Sequence, residues 1–252
     1  MMSDRILVTG LSGLIGNALR KDLEGECDLR ALNRSEVQGV STTRASIGDY
    51  DTIEPAFAGV DTVIHLAAKI SDSAGWESLL ETNIKGTRNM FEAARVNGVR
   101  RVIFTSSGAT VAGWEKVDPY KAIVEGRYAD AIENIPLIDE SMAVRPGNIY
   151  ASTKVWGEAI ARHYADTHGI EVICLRIGFA SSEDKPTNDR QFSVWNSQRD
   201  VVQAIRLAMT VDLPDKFDVF FILSDNKYSY RNLDRARSLL GFSPRDAAEA
   251  YR

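Results

Sequence analysis

A doubly wound α/β fold on a parallel sheet is what this sequence predicts, and three observations carry the prediction. Short apolar runs alternate with longer stretches of helical period, as βαβ units do. A glycine-rich turn closes the first apolar run and opens the first helical stretch. The chain has 252 residues, 44% of them hydrophobic, which suits one Rossmann-type domain over 1–252.

The elements follow in order. Ile6-Leu7-Val8 reads as the first strand and residues 14–23 as the first helix. Leu29–Leu32 and Asp61–His65 give the second and third strands, and a long helix over 76–97 is closed by Gly98. Arg101–Phe104 gives the fourth strand, 149–167 a helix ended by Gly169, and Val172–Leu175 the fifth strand. A helix near 200–209, a strand near 219–223 and a helix near 230–240 complete the chain. Segments 113–146 and 179–196 lack a clean period and each follows the carboxyl end of a strand. Open α/β sheets bind their ligands there, so both are expected to wall a substrate pocket in a small C-terminal substrate-binding portion.

Net charge is −5, and a main partner of nucleic acid or anionic membrane would call for a basic face instead. No apolar stretch approaches the roughly 20 residues of a membrane span. Cys27 and Cys174 read as buried thiols, and no Cys-x-x-Cys pair is present to bind zinc or cycle redox. The N-terminus enters a strand at once, without a signal peptide, so a cytoplasmic location is expected.

The turn Thr9-Gly10-Leu11-Ser12-Gly13-Leu14-Ile15-Gly16 has a dinucleotide-binding spacing. Gly10 makes the tight turn, Gly13 lets backbone approach a pyrophosphate, and Gly16 lets the helix pack on the strand. The N–H groups around Ser12, Leu14 and Ile15 then face the phosphates with the positive end of the helix dipole. An acidic residue at the end of the second strand would repel a 2′-phosphate. This chain has Asn33 and Arg34 there, so NADP is favoured over NAD.

Tyr150-Ala151-Ser152-Thr153-Lys154 places a phenol and an ammonium at i and i+4 of one helical face. A tyrosine with an ordinary pKa of about 10 is a poor base at neutral pH. An adjacent ammonium, with an oxidised nicotinamide, is expected to lower it.

At these residues the chain resembles the extended short-chain dehydrogenase/reductases, the NAD-dependent epimerase/dehydratase superfamily. The resemblance is carried by the turn at 9–16, His65-Leu66-Ala67-Ala68, Asn83-Ile84-Lys85-Gly86-Thr87, Thr105-Ser106-Ser107 and Tyr150–Lys154. It implies a Rossmann fold and hydride transfer between NAD(P) and a hydroxyl or carbonyl of a small polar substrate. It also implies that Ser107 holds the reacting oxygen, Tyr150 exchanges the proton, Lys154 orients tyrosine and cofactor, and Asn83 supports a relay water. Ser106 is the alternative to Ser107. Leu66, Ala67, Ala68 and Ile177 would line the cofactor, His65 would be a strand-end residue beside it, and a homodimer is expected.

The downstream half resembles the uronate dehydrogenases more narrowly, through Lys154–Ala159, Leu175–Gly178, Asp189-Arg190, Trp195, Arg199–Val202, Ser224–Asn226 and Leu240–Pro244. That resemblance implies a sugar or sugar-acid substrate contacted by Ser107, Gly108, Phe179 and Arg190, with Arg190 holding a carboxylate. Phe179 and Ala109 depart from the family, which has serine and histidine there, and 113–146 is longer than expected. A nucleotide-sugar epimerase or dehydratase is the alternative, but only 74 residues follow Gly178 to hold a nucleotide. A non-catalytic NAD(P) sensor would have no need of Ser107, Tyr150 and Lys154 together.

Overall fold

The apolar runs become parallel strands because both of their faces are covered, which demands continuous rather than alternating hydrophobicity. The computed structural model of the chain describes residues 4–130 and 135–252. Its strands are β1 (Arg5–Thr9), β2 (Asp28–Asn33), β3 (Ser41–Arg44), β4 (Thr62–His65), β5 (Arg101–Ser107), β6 (Glu171–Ile177) and β7 (Phe217–Ile222). They form one sheet in the order β3-β2-β1-β4-β5-β6-β7. The registers Leu7↔Arg30, Leu7↔Val63 and Val63↔Val102 are parallel. The order reverses beside β1, so the carboxyl ends of β1 and β4 flank a switch point. The longer helices are α1 (Leu14–Asp22), α2 (Gly86–Val96), α3 (Ile149–His168) and α4 (Gln198–Thr210).

Three elements differ from the expectation. β3 was not anticipated: Ser-Thr-Thr-Arg has no apolar run, and its residues are exposed or half-buried at the sheet edge. Backbone pairing to β2 makes it a strand, through registers such as Ala31↔Thr42. The helix expected over 76–97 is a composite of α-helix at Trp76–Leu79, π-helical turns at Leu80–Lys85, and α2. The last helix shrinks to the turns at Ala236–Leu240, closed by Gly241 at φ 72°. Cys174 is buried as expected, but Cys27 is only half-buried. No helix among the described residues is long and apolar enough to cross a membrane.

The chain divides into two units, each assembled from three segments. The first comprises residues 1–105, 153–174 and 212–218. Ile6, Val8, Val63, Ile64, Val102 and Ile103 are fully buried in it. Phe91 of α2 lies 6.3 Å from Phe104 of β5 and stacks on Tyr164 of α3 at 5.3 Å. Gly157 fits α3 to the sheet, since a Cβ there would lie 2.4 Å from the Phe104 ring.

The second unit comprises residues 106–152, 175–211 and 219–252. Its core gathers Val111, Tyr120, Ile123, Ile138, Val194, Phe221, Leu223 and Tyr230. Buried Asp200 of α4 fastens the C-terminal segment. Its carboxylate accepts from Ser224 Oγ at 2.7 Å and from the backbone N–H groups of Arg245 and Asp246 at 2.8 and 3.2 Å. The segment 113–146 is thus part of a core: it holds a short helix at Tyr120–Val124, and Ile138 bridges to Arg231. Residues 131–134 of that segment lie outside the described residues.

Candidate active site

The first unit carries the glycine turn. Gly10 has φ 75°, and a Cβ on it would lie 2.9 Å from the Ala67 nitrogen, so β1 and β4 approach there as only glycine permits. A Cβ on Gly16 would lie 2.4 Å from the Leu11 carbonyl oxygen. Gly13 caps α1 in an extended conformation and no side chain bonds the helix N-terminus. The first-turn N–H groups near Leu14 and Ile15 are therefore left for an anionic ligand, and Ser12 and Gly13 are exposed beside them. These features fit a dinucleotide pyrophosphate. Asn33 is buried at the end of β2 and donates to Ser12 Oγ and the Ser35 carbonyl, each at 2.9 Å, while Arg34 next to it is exposed. Leu66, Ala67 and Ala68 follow β4 directly and are half-buried.

His65 is fully buried at the end of β4. Its ring nitrogens meet Thr9 Oγ1 at 2.8 Å and Thr87 Oγ1 at 3.3 Å, and Phe104 stacks on it at 5.8 Å. It is a strand-end residue, and no cluster suited to a metal occurs among the described residues. Burial, helped by the Lys154 charge, lowers its pKa to about 3. The neutral ring is thus the folded form, and its contribution to stability is complete above about pH 6.5 and lost as pH falls toward 3. Between pH 6.5 and 4 the group should remove on the order of 3 kcal/mol of unfolding free energy. Urea titrations at both pH values check this. A His65→Gln protein with an equally steep acid loss would refute it.

The candidate catalytic residues lie on β5, α3 and the π-helical turns. Ser107 ends β5 half-buried, and its hydroxyl accepts from the Ala109 N–H at 3.1 Å. It also shares a hydrogen bond with the Tyr150 phenol. Ser106 is buried at 4% exposure, so the register favours Ser107. Asn148 Oδ1 accepts from the Ala151 N–H at 2.8 Å and starts α3, which carries Tyr150 and Lys154 one turn apart. Lys154 is buried, donates to the Thr105 carbonyl at 2.7 Å and sits 4.9 Å from the Phe104 ring. Burial lowers its pKa to about 8 against the opposing pull of Glu158.

Tyr150 is governed within the chain by its surroundings. Burial raises the phenol above its ordinary value, with the Ser107 hydrogen bond acting the other way. Desolvation of the phenolate outweighs the favourable contacts within the chain. Asn83, on the π-helical turns, donates to the Lys69 carbonyl at 2.8 Å and to Thr153 Oγ1 at 2.9 Å, and accepts from the Lys69 N–H at 2.8 Å. Its amide braces α3 against the segment that follows β4.

The expected substrate residues lie in the second unit. Ile177 ends β6, and half-buried Phe179 just beyond it bridges to Trp195. Arg190 does not present an open fork, because its Nε and Nη2 donate to the two Glu115 carboxylate oxygens at 2.6 and 2.9 Å. The Tyr230 hydroxyl also donates to Glu115, and Arg231 Nη2 lies 3.6 Å from the same carboxylate. Gly108 faces Arg231: a Cβ at 108 would fall 2.0 Å from Nη1. The segments 113–146 and 179–196 do meet, through Glu115–Arg190 and a Tyr128 hydroxyl bond to the Asp189 carbonyl at 3.1 Å. Glu115, Tyr230 and Arg231 carried no sequence signal. They lie in no motif, and Glu115 and Tyr230 are 115 residues apart.

A model of the NAD dependent epimerase/dehydratase family matches residues 6–198. The chain belongs to this family. It is 34% identical to an L-arabinose 1-dehydrogenase (NAD(P)(+)) of Haloferax volcanii, covering 96% of each chain. It is 30% identical to a uronate dehydrogenase of Pseudomonas putida over 99% of this chain and 87% of that one. Among solved structures, an Agrobacterium tumefaciens uronate dehydrogenase mutant complexed with NAD is similar at TM-score 0.81 and 28% identity, covering 99% of this chain and 87% of that one.

Proposed function

We propose that the protein is an NAD(P)-dependent sugar dehydrogenase that oxidises a sugar hydroxyl to a carbonyl. The observation that carries this reading is the hydrogen bond between Ser107 and Tyr150, with Lys154 one turn further along α3. The relatives matched over nearly their whole length are dehydrogenases, which supports oxidation over epimerisation.

The glycine turn and the uncapped start of α1 would hold the pyrophosphate, with Leu66, Ala67 and Ala68 beside the dinucleotide. A bound nicotinamide would supply the hydride acceptor for the substrate carbon. Ser107 Oγ holds the substrate hydroxyl, and Tyr150 Oη takes the hydroxyl proton as the carbonyl forms. Lys154, fixed by Thr105, supplies the positive charge that favours the phenolate and a donor for the ribose. Asn83 positions α3 through Thr153, and the proton passes on to water. Absorbance at 340 nm tests the reading: neutral sugars and sugar acids offered with each nucleotide should yield reduced cofactor, and an inert panel would end it.

NADP is the favoured nucleotide, because Arg34 is exposed at the end of β2 and Asn33 brings no repelling charge. Arg34→Ala should raise KM for NADP by roughly 5- to 30-fold, about 1–2 kcal/mol after solvent screening, and leave KM for NAD unchanged. Equal changes for both nucleotides would make Arg34 a surface residue. The proposal extends to a cytoplasmic homodimer, on the sparse cysteine use and the family resemblance.

A further inference from the structure

Resting on the sugar-dehydrogenase reading, we infer that Glu115 sets the substrate class by occupying Arg190, so that a neutral sugar is selected over a sugar acid. The geometry is that of a closed charge cluster. Arg190 spends two donors on Glu115 at 2.6 and 2.9 Å, the bidentate pairing a substrate carboxylate would require. Tyr230 donates to Glu115 as well. Burial, together with Glu115, pushes its phenol well above the usual tyrosine range, so it stays a donor. The Glu115 side chain is 10% exposed, so its charge is weakly screened.

Arg231 extends this cluster to the backbone beside Ser107. Its side chain is 2% exposed, its guanidinium lies 5.3 Å from the Tyr230 ring and 5.8 Å from that of Phe221, and its Nη1 fills the space a side chain at Gly108 would need. A carboxylate brought to this wall meets an arginine already paired and a second buried anion at Glu115. Dehydrating two like charges together is costly. Sugar hydroxyls face no such barrier, since each can donate to Glu115 and accept from a guanidinium. Gly108, Ala109 and Phe179 add no charge nearby.

Initial rates for the wild-type protein with D-glucose, D-galactose and L-arabinose, against D-glucuronate and D-galacturonate, decide the matter with either nucleotide saturating. The best aldose should exceed the best uronate in kcat/KM by about tenfold or more. Glu115→Gln, which removes the anion, should shift that ratio toward uronates by about tenfold, whereas Glu115→Asp, which keeps it, should retain the aldose preference. A protein that merely lost structure would slow on both classes and leave the ratio in place. A wild-type preference for aldoses below tenfold, or a folded Glu115→Gln protein with an unchanged ratio, overturns the inference and leaves the dehydrogenase reading standing. Should Glu115→Gln not fold, the wild-type ratio and Glu115→Asp decide. Turnover of neither class sinks the sugar reading and this inference with it.

Discussion

Replacing Tyr150 by phenylalanine is expected to lower kcat by about 10²-fold or more, with dinucleotide affinity little changed. The substitution keeps the ring and removes the phenol oxygen that hydrogen bonds Ser107. Without it the substrate proton has no acceptor placed at the reacting oxygen, and the loss falls on kcat because that transfer occurs only in the transition state. The same phenol fixes a pH signature. Burial holds its pKa above the ordinary value, so the phenolate fraction, and with it the oxidation rate, should climb with pH through the neutral and mildly alkaline range. In Tyr150→Phe that climb should flatten. Stopped assays of kcat from pH 6 to 10, with fluorescence titration of the dinucleotide, check both statements. Near-normal turnover in Tyr150→Phe would remove the tyrosine from the chemistry.

Gly16→Ala carries the second large effect. A methyl group there would stand 2.4 Å from the Leu11 carbonyl oxygen and 2.6 Å from the Leu11 carbonyl carbon and Cα, and backbone cannot rotate aside as a side chain tip can. Leu11 is itself fully buried, so relieving the clash must push α1 away from β1. Overpacking of this kind costs about 1–3 kcal/mol, which in a chain of this length lowers Tm by roughly 2–12 °C. The start of α1 moves with the helix, so dinucleotide Kd should rise by about tenfold or more. Thermal melts and a binding titration measure the two effects. An alanine variant with wild-type Tm and Kd would mean that the helix packs more loosely than the contact distances imply.

The sheet was legible in the sequence because its strands are buried on both faces, and a buried parallel strand leaves a continuous apolar run as its trace. Ile6–Val8, Val63-Ile64 and Val102–Phe104 are such traces. The glycine turn was legible because Gly10 and Gly16 occupy positions where a Cβ has no room, a constraint that fixes residue type and spacing together. β3 was not legible, since Ser41–Arg44 is an edge strand specified by its pairing to β2 and not by its side chains. The π-helical turns at Leu80–Lys85 were hidden as well, because the apolar period of the surrounding helix runs on through them.

By itself the sequence carried the doubly wound fold in its periodicity, and the glycine turn and the Tyr150–Lys154 pair in spacing within a few residues, while Ser107 entered through the family resemblance. The tertiary structure alone decided what surrounds those groups. Burial raises the Tyr150 phenol within the chain, and desolvation depends on neighbours that a motif does not name. The family resemblance gives Arg190 to a substrate carboxylate, yet in the fold it closes on Glu115, 75 residues away, alongside Tyr230 and Arg231. Charge pairs of that separation follow from how segments pack, which no local pattern of residues encodes.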